Sequence, residues 1–395
     1  MPRICRLFRF LALPPLILAI TACSWLSTPM EWITGPPDPN PPSPLPVFQP
    51  SLTVTTVWSA RIGSGTEKQW LRLAPAINAE TVYAAGFDGT VQARRLSDGN
   101  LLWEARTGLP ITGGPGVGEG LVVVGTAKAE VVALEADSGK ERWRIPISGP
   151  VLSVPRIQGD RVVVQASDNS LHGFDVHDGS RQWLYNIPLP VLTVRGSGAP
   201  IIIAGHVLAG FAGGKLSLLT LREGVPRWEV TVSPPSGRSE LERIVDPSAE
   251  PVTIGEVAFV PMYQGELAAV ALRSGEVIWR RKLSSFAGLS VSPQALFVTD
   301  SDDRVWALDL RTGAALWKQE QLLHRRLSAP AVWGNLLAVG DLEGQVHWLN
   351  AEDGGLAARV SVGHGPISAP LRPAGDRLVV LGQDGTLAVL ARGGR

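Results

Sequence analysis

Two cysteines, six histidines and a few clustered acids are the side chains in this chain whose types could do chemistry, and their surroundings decide what chemistry that would be. Cys23 ends the stretch Ile20-Thr21-Ala22-Cys23, after an apolar run from Phe10 to Ile20 and the cations Arg3, Arg6 and Arg9. A cationic start, a short apolar run and small residues at a cut site have the layout of an export signal, too short for a dependable membrane span. A cysteine directly after the cut, as in a lipobox, can carry a diacylglycerol on its thiol and an acyl chain on its new amine. Each buried methylene then contributes roughly 0.8 kcal/mol to membrane attachment. Residues 1–22 are therefore expected to be removed and Cys23 to be lipidated. Ser24, in place of an Asp after the cysteine, resembles the sorting pattern of outer-membrane lipoproteins facing the periplasm. Cys5 lies in the removed segment, which leaves the mature chain without a disulfide and without a thiol nucleophile.

Metal and nucleophile chemistry finds little support elsewhere. His172, His177, His206, His324, His347 and His364 show no HxH or HExxH spacing, so no metal centre is expected. Asp300, Asp302 and Asp303 could attract Ca2+, but they lack the Gly and the terminal Glu of a calcium loop. GxSxG is absent, and Gly210 to Gly214 does not sit in the strand-to-helix context of a phosphate loop. Formal charge is zero for the precursor and about −3 once three leader arginines are gone, with no basic tract to suggest nucleic acid. No catalytic residue and no cofactor are expected, and binding becomes the function to look for.

The elements that would present a binding surface follow from a repeat. Asp303 to Trp317 (DRVWALDLRTGAALW) is an alternating apolar run, a turn ending in Gly313, and a second run with Trp317 four residues later. The frame recurs at Gly89 to Trp103, Ala129 to Trp143, Asn169 to Trp183, Gly214 to Trp228 and Gly265 to Trp279, then more weakly at Gly344 to Ala358 and at Gly385. A period of 38 to 51 residues suits a propeller blade of four short strands and is too short for a domain. Upstream, Trp58 stands in a segment like that of Trp103, while the last repeat lacks its outer strand. An open ring would leave unpaired backbone groups, so Thr53 to Arg61 is expected to pair beside Thr386 to Leu390. The expected fold is an all-β, eight-bladed β-propeller with four antiparallel strands per blade, closed by the N-terminal strand. Residues 1–22 form the leader, 23–50 a lipid-anchored tether with nine prolines between Ser24 and Pro50, and 51–395 the ring.

Trp58, Trp103, Trp143, Trp183, Trp228, Trp279 and Trp317 read as packing residues that cover seams between blades. The turn glycines, such as Gly99, supply a positive φ. Gly114-Pro115, Val154-Pro155, Ala199-Pro200, Glu250-Pro251, Ala329-Pro330 and Ala369-Pro370 suit inner strands crowded round an axis. Departures from the repeat say more about function. From a blade Trp to the next repeat start the usual distance is 24 to 27 residues, but it is 31 after Trp58 and Trp183 and 37 after Trp228. The last two fall in successive connectors, and connectors of one type emerge on one face, so Leu184 to Pro200 and Glu229 to Pro251 are expected to build a shared rim. One carries Leu192, Val194 and Arg195; the other is highly charged with Leu241, Ile244 and Val245 among the charges, a composition suited to a protein-binding surface.

Small residue, alternating strand, turn glycine and Trp together resemble the repeat of pyrroloquinoline-quinone (PQQ) dehydrogenases and their non-enzymatic relatives. With the lipobox, the proline tether, eight blades and the two long connectors, the chain is most similar to the BamB family, propeller lipoproteins of the outer-membrane barrel-assembly machinery. That resemblance implies a scaffold that binds the periplasmic POTRA domains of the barrel subunit BamA and assists outer-membrane protein folding, with nascent outer-membrane proteins as further partners. It also implies contact roles for Leu192, Val194, Arg195 and Asp246. The family tends to carry a second acid two positions after the first. Ser248 stands there, with Glu250 as the substitute to test. A PQQ-dependent periplasmic oxidoreductase is the competing reading and needs a metal, a base and added segments that are not recognisable here. A module for another envelope protein also stays open.

Overall fold

Short apolar runs broken by turn glycines can bury themselves only as strands of small sheets stacked face to face. The computed structural model, which describes residues 38–194 and 198–393, has that arrangement. Eight four-stranded antiparallel sheets form the blades, all within the compact unit Pro42–Arg395. In the unit 1–41 the described residues are 38–41, where the Asn40 N–H donates to Asp38 at 2.9 Å. Cys23 and the leader lie outside the described residues, as does Arg195.

In the first blade Ala76–Asn78, Thr81–Ala85, Thr90–Arg95 and Leu101–Arg106 run outward in chain order. Alternation along the third strand does not separate core from solvent, because both faces of a blade are covered by its neighbours. Val91, Gln92 and Ala93 are all buried, and Gln92 meets its need for a partner through Glu104 at 2.8 Å. The eighth blade is assembled from both ends of the chain. Val54–Arg61 pairs antiparallel with Thr386–Arg392, with Trp58 opposite Val389 and Arg61 opposite Thr386. Ring closure is as the sequence led us to expect.

Seven of the eight seams are a lock between an outer-strand Trp and the next blade's turn. The Trp58 indole N–H donates to Leu96 O at 2.9 Å, Trp103 to Ala136 O at 2.7 Å, and Trp143, Trp183, Trp228, Trp279 and Trp317 do the same one blade further on each time. The ring lies on the turn glycine: a Cβ on Gly99 would sit 2.5 Å from Trp58. Gly99 is thus required twice, for its φ of 75° and for close approach. In five blades the residue across the sheet from the Trp is small, namely Ala93, Ala133, Gly173, Ala269 or Ala307.

The seventh blade reverses this pair, with Trp348 on the third strand opposite Ala358 on the outer one. The reason is topological. The eighth blade's two outer strands come from opposite chain ends, so no turn glycine exists there to receive a Trp at position 358. Trp348, fully buried, packs instead with Trp333, Val54 and Ala358, and Trp333 donates to Gly375 O at 3.1 Å across that seam.

Contact between the proline-rich segment and the ring begins at Ser43, within the stretch expected to be tether. Proline removes a donor but leaves its carbonyl free to accept, and two ring arginines take carbonyls of this segment, one of them a proline's. Arg325 donates to Ser43 O at 2.9 Å and Arg359 to Pro46 O at 2.7 Å, with Arg359 5.2 Å over the Phe48 ring. Behind them, fully buried Asp341 accepts from Arg325 and His347 at 2.9 Å. Burial pushes the Asp341 carboxyl up, but these partners outweigh it and hold the group below its usual range.

Candidate partner-binding rim

The two long connectors meet, and the residue that joins them is Asp246. Its backbone forms a bridge with Tyr263, in which the Tyr263 N–H donates at 2.9 Å, and this turns the side chain inward. One carboxylate oxygen accepts from the Val194 N–H of the first connector, and the other from Gly213 at 3.3 Å. Burial raises the Asp246 pKa above the ordinary carboxylate value, and the two backbone donors oppose that only in part. With 2% of its surface exposed, Asp246 is not presented to a partner as expected; it staples one connector to the other.

Around the staple the chain leaves apolar side chains in solvent. Val191 is 87% exposed, Leu192 41% and Leu241 67%, while Val194 is half-buried and Val245 is buried beneath the second connector. Exposed Leu241 is held by a single turn in which Glu242 accepts from the Arg238 N–H at 2.6 Å and its own N–H donates to Ser239 Oγ at 3.3 Å. The charge in this stretch therefore organises the loop as well as solvating it. Further along, Tyr263 packs edge-on against half-exposed Phe286 at 5.8 Å, and Arg72 lies 4.1 Å over the Phe286 ring. Neither aromatic was singled out from sequence, since each falls in an ordinary-length connection.

Neither replacement for the second acid reaches the rim. Ser248 is buried, its hydroxyl donating to Ser285 O at 2.7 Å. Glu250 faces the ring axis, paired with Arg156 and, at 3.7 Å, with Arg372.

Groups that resemble chemistry are used structurally. Asp303 accepts from the Arg326 and Leu327 N–H groups at 2.7 Å, and burial pushes it up to about 6. Asp300 accepts from the Trp306 indole at 2.8 Å. Ser170 sits 2.8 Å from His172, but Asp168 bonds to Ser170 and does not orient the imidazole, whose Nδ1 has no partner among the described residues. Burial lowers His172 to about 4, so it stays neutral. Among the described residues no group of three or more His, Cys, Asp or Glu side chains is placed to hold a metal.

Known proteins share both this fold and this sequence. Solved structures that superpose include BamB from Moraxella catarrhalis, with a TM-score of 0.79 at 28% identity, covering 86% of this chain and 100% of that one. A quinohemoprotein alcohol dehydrogenase from Comamonas testosteroni superposes at a TM-score of 0.71 and 13% identity over 87% of this chain and 77% of that one, which shows the shared propeller alone. The outer membrane protein assembly factor BamB of Xanthomonas campestris is 41% identical over 357 residues, 88% of each chain, and that of Escherichia coli 37% identical over 360 residues, 89% of this chain and 92% of that one. The family described as outer membrane protein assembly factor BamB matches residues 87–319. By these matches, and by the closed eight-bladed ring that carries them, the chain belongs to the BamB family.

Proposed function

We propose that this chain is a non-enzymatic scaffold lipoprotein of the outer-membrane barrel-assembly machinery, anchored through Cys23 on the periplasmic face of the outer membrane. Its rim binds the POTRA domains of the barrel subunit, and through them it assists outer-membrane protein assembly. The observation that carries this reading is the pair of long connectors tied together by Asp246, with Val191, Leu192 and Leu241 left in solvent. Two loops already tied to each other have less conformational entropy to lose on docking, and exposed aliphatic groups close in sequence to an arginine make a good anchor. Leu192 and Arg195 are the contact residues in this reading; Val194 and Asp246 set the shape of the loop that carries them.

Calorimetry with isolated POTRA domains tests the rim. Arg195→Ala is expected to weaken binding about thirtyfold or more, with Leu192→Ala weaker in effect and both leaving circular dichroism unchanged. Arg106→Ala, on the outer strand of the first blade and 71% exposed, is the control. Wild-type affinity for Arg195→Ala would remove the rim from consideration. Fractionation tests the anchor: Cys23→Ser should leave the membrane pellet.

A further inference from the structure

The innermost strands enclose an axial channel with two adjoining cavities of about 210 and 730 Å3, which share Val154, Glu250, Arg372 and Pro373. Most of the lining is small or apolar, as crowding round an axis requires. The charged side chains among the described lining residues are Arg72, Arg156, Arg372 and Glu250, so cations exceed anions by two.

Those charges are unevenly satisfied. Arg156 donates to Pro200 O at 2.9 Å and pairs with Glu250. Arg72 donates to the carbonyls of Ser248 at 3.0 Å and Ala287 at 3.3 Å, and to Phe286 O, yet makes no ion pair among the described residues. Arg372 is the least engaged. Glu250 lies 3.7 Å away, too long for a hydrogen bond, and no other described residue takes its donors. Burial lowers both Arg72, to about 10, and Arg372. The Arg372 side chain keeps 28% of its surface exposed, so its unused donors face the open space of the channel, where a ligand of this size could reach them.

We propose that the axial channel binds a small, multiply charged oxyanion bearing carboxylate or phosphate groups, held by the Arg372 fork with Arg72 and Arg156 contributing charge. The planar guanidinium matches two oxygens of either group. Multiple charge is needed because Glu250 opposes any anion beside Arg372, and a single charge would do no more than replace the pairing that Glu250 already provides.

Calorimetry on the mature full chain, with citrate in one arm and inorganic pyrophosphate in the other at ionic strength held constant with sodium chloride, tests this. Saturable binding is expected in at least one arm, and which arm identifies the group. Arg372→Gln should weaken it at least about tenfold, and Glu250→Gln should strengthen it. Arg372→Lys keeps the charge and loses the fork, so it should bind between wild type and Arg372→Gln, and it serves if Arg372→Gln does not fold. No saturable heat at millimolar concentration in either arm, or equal affinity for wild type and a folded Arg372 variant, overturns the proposal.

Discussion

Asp246 shows how one side chain can determine the shape of a surface it does not join. Its carboxylate holds the Val194 N–H and shares the Gly213 N–H with Val245 O, so Asp246→Ala leaves the half-buried Val194 donor unpaired, at about 1 kcal/mol. Asp246→Asn keeps one acceptor and removes a buried charge, and should melt closer to wild type. The pH dependence has a definite sign. A carboxyl raised above its unfolded value favours the protonated folded state, so wild-type stability gains from this group as pH falls from neutral into the usual carboxylate range. The melting temperature of Asp246→Asn relative to wild type should therefore be most favourable at neutral pH and decline on acidification. A difference independent of pH would mean that Asp246 titrates normally.

At the scale of the element, the unit of stability is the lock between a Trp and the following turn. Gly99 and Gly120 have nearly the same φ, 75° and 73°, but a Cβ on Gly99 meets Trp58 while one on Gly120 meets open space. Comparing Gly120→Ala with Gly99→Ala separates the backbone cost from the seam. The first should lose about 1 kcal/mol for the left-handed conformation alone, and the second about 2 to 4 kcal/mol as the indole is pushed off its turn and its bond to Leu96 O is lost. Denaturant melts give both numbers, and equal losses would show that the seam tolerates displacement of the Trp.

For the whole molecule, the ring is held shut by a strand that starts only a few residues after a proline-rich segment already docked on its surface. Truncations should therefore be graded. Removing residues through 42 should leave the melting temperature unchanged. Removing them through Pro50 should lower it modestly, since Arg325 and Arg359 lose the Ser43 and Pro46 carbonyls. Removing them through Arg61 should lower it severely, because the eighth blade loses its outer strand and Trp58, which packs partly buried against the first blade and donates to Leu96 O. The same melting temperature after the second and third truncations would mean that closure does not depend on this strand.

Blade number, turn positions and the closing strand were legible in the sequence because each depends on local spacing: a Gly four residues before a Trp, a period near forty, and a missing half-hairpin at one end matched by a spare strand at the other. The long connectors were legible for the same reason, as departures from a period. What spacing cannot encode is direction. Asp246 and Ser248 stand in a polar, charged stretch that suggests exposure, yet the bridge to Tyr263 turns Asp246 inward and the Ser248 hydroxyl bonds to Ser285 beneath the surface. Gln92 alternates as an outward residue would, but a blade has a neighbour on each face. Ala358 reads as a degenerate repeat until the ring is closed, when Trp348 is found across the sheet doing the same packing from the other strand. Arg72, Arg156, Glu250 and Arg372 are hundreds of residues apart at the extremes, and only closure of the toroid brings their charges into one channel. The repeat determined which fold forms, and the closed ring decided which of its polar residues face a partner, a cavity or each other.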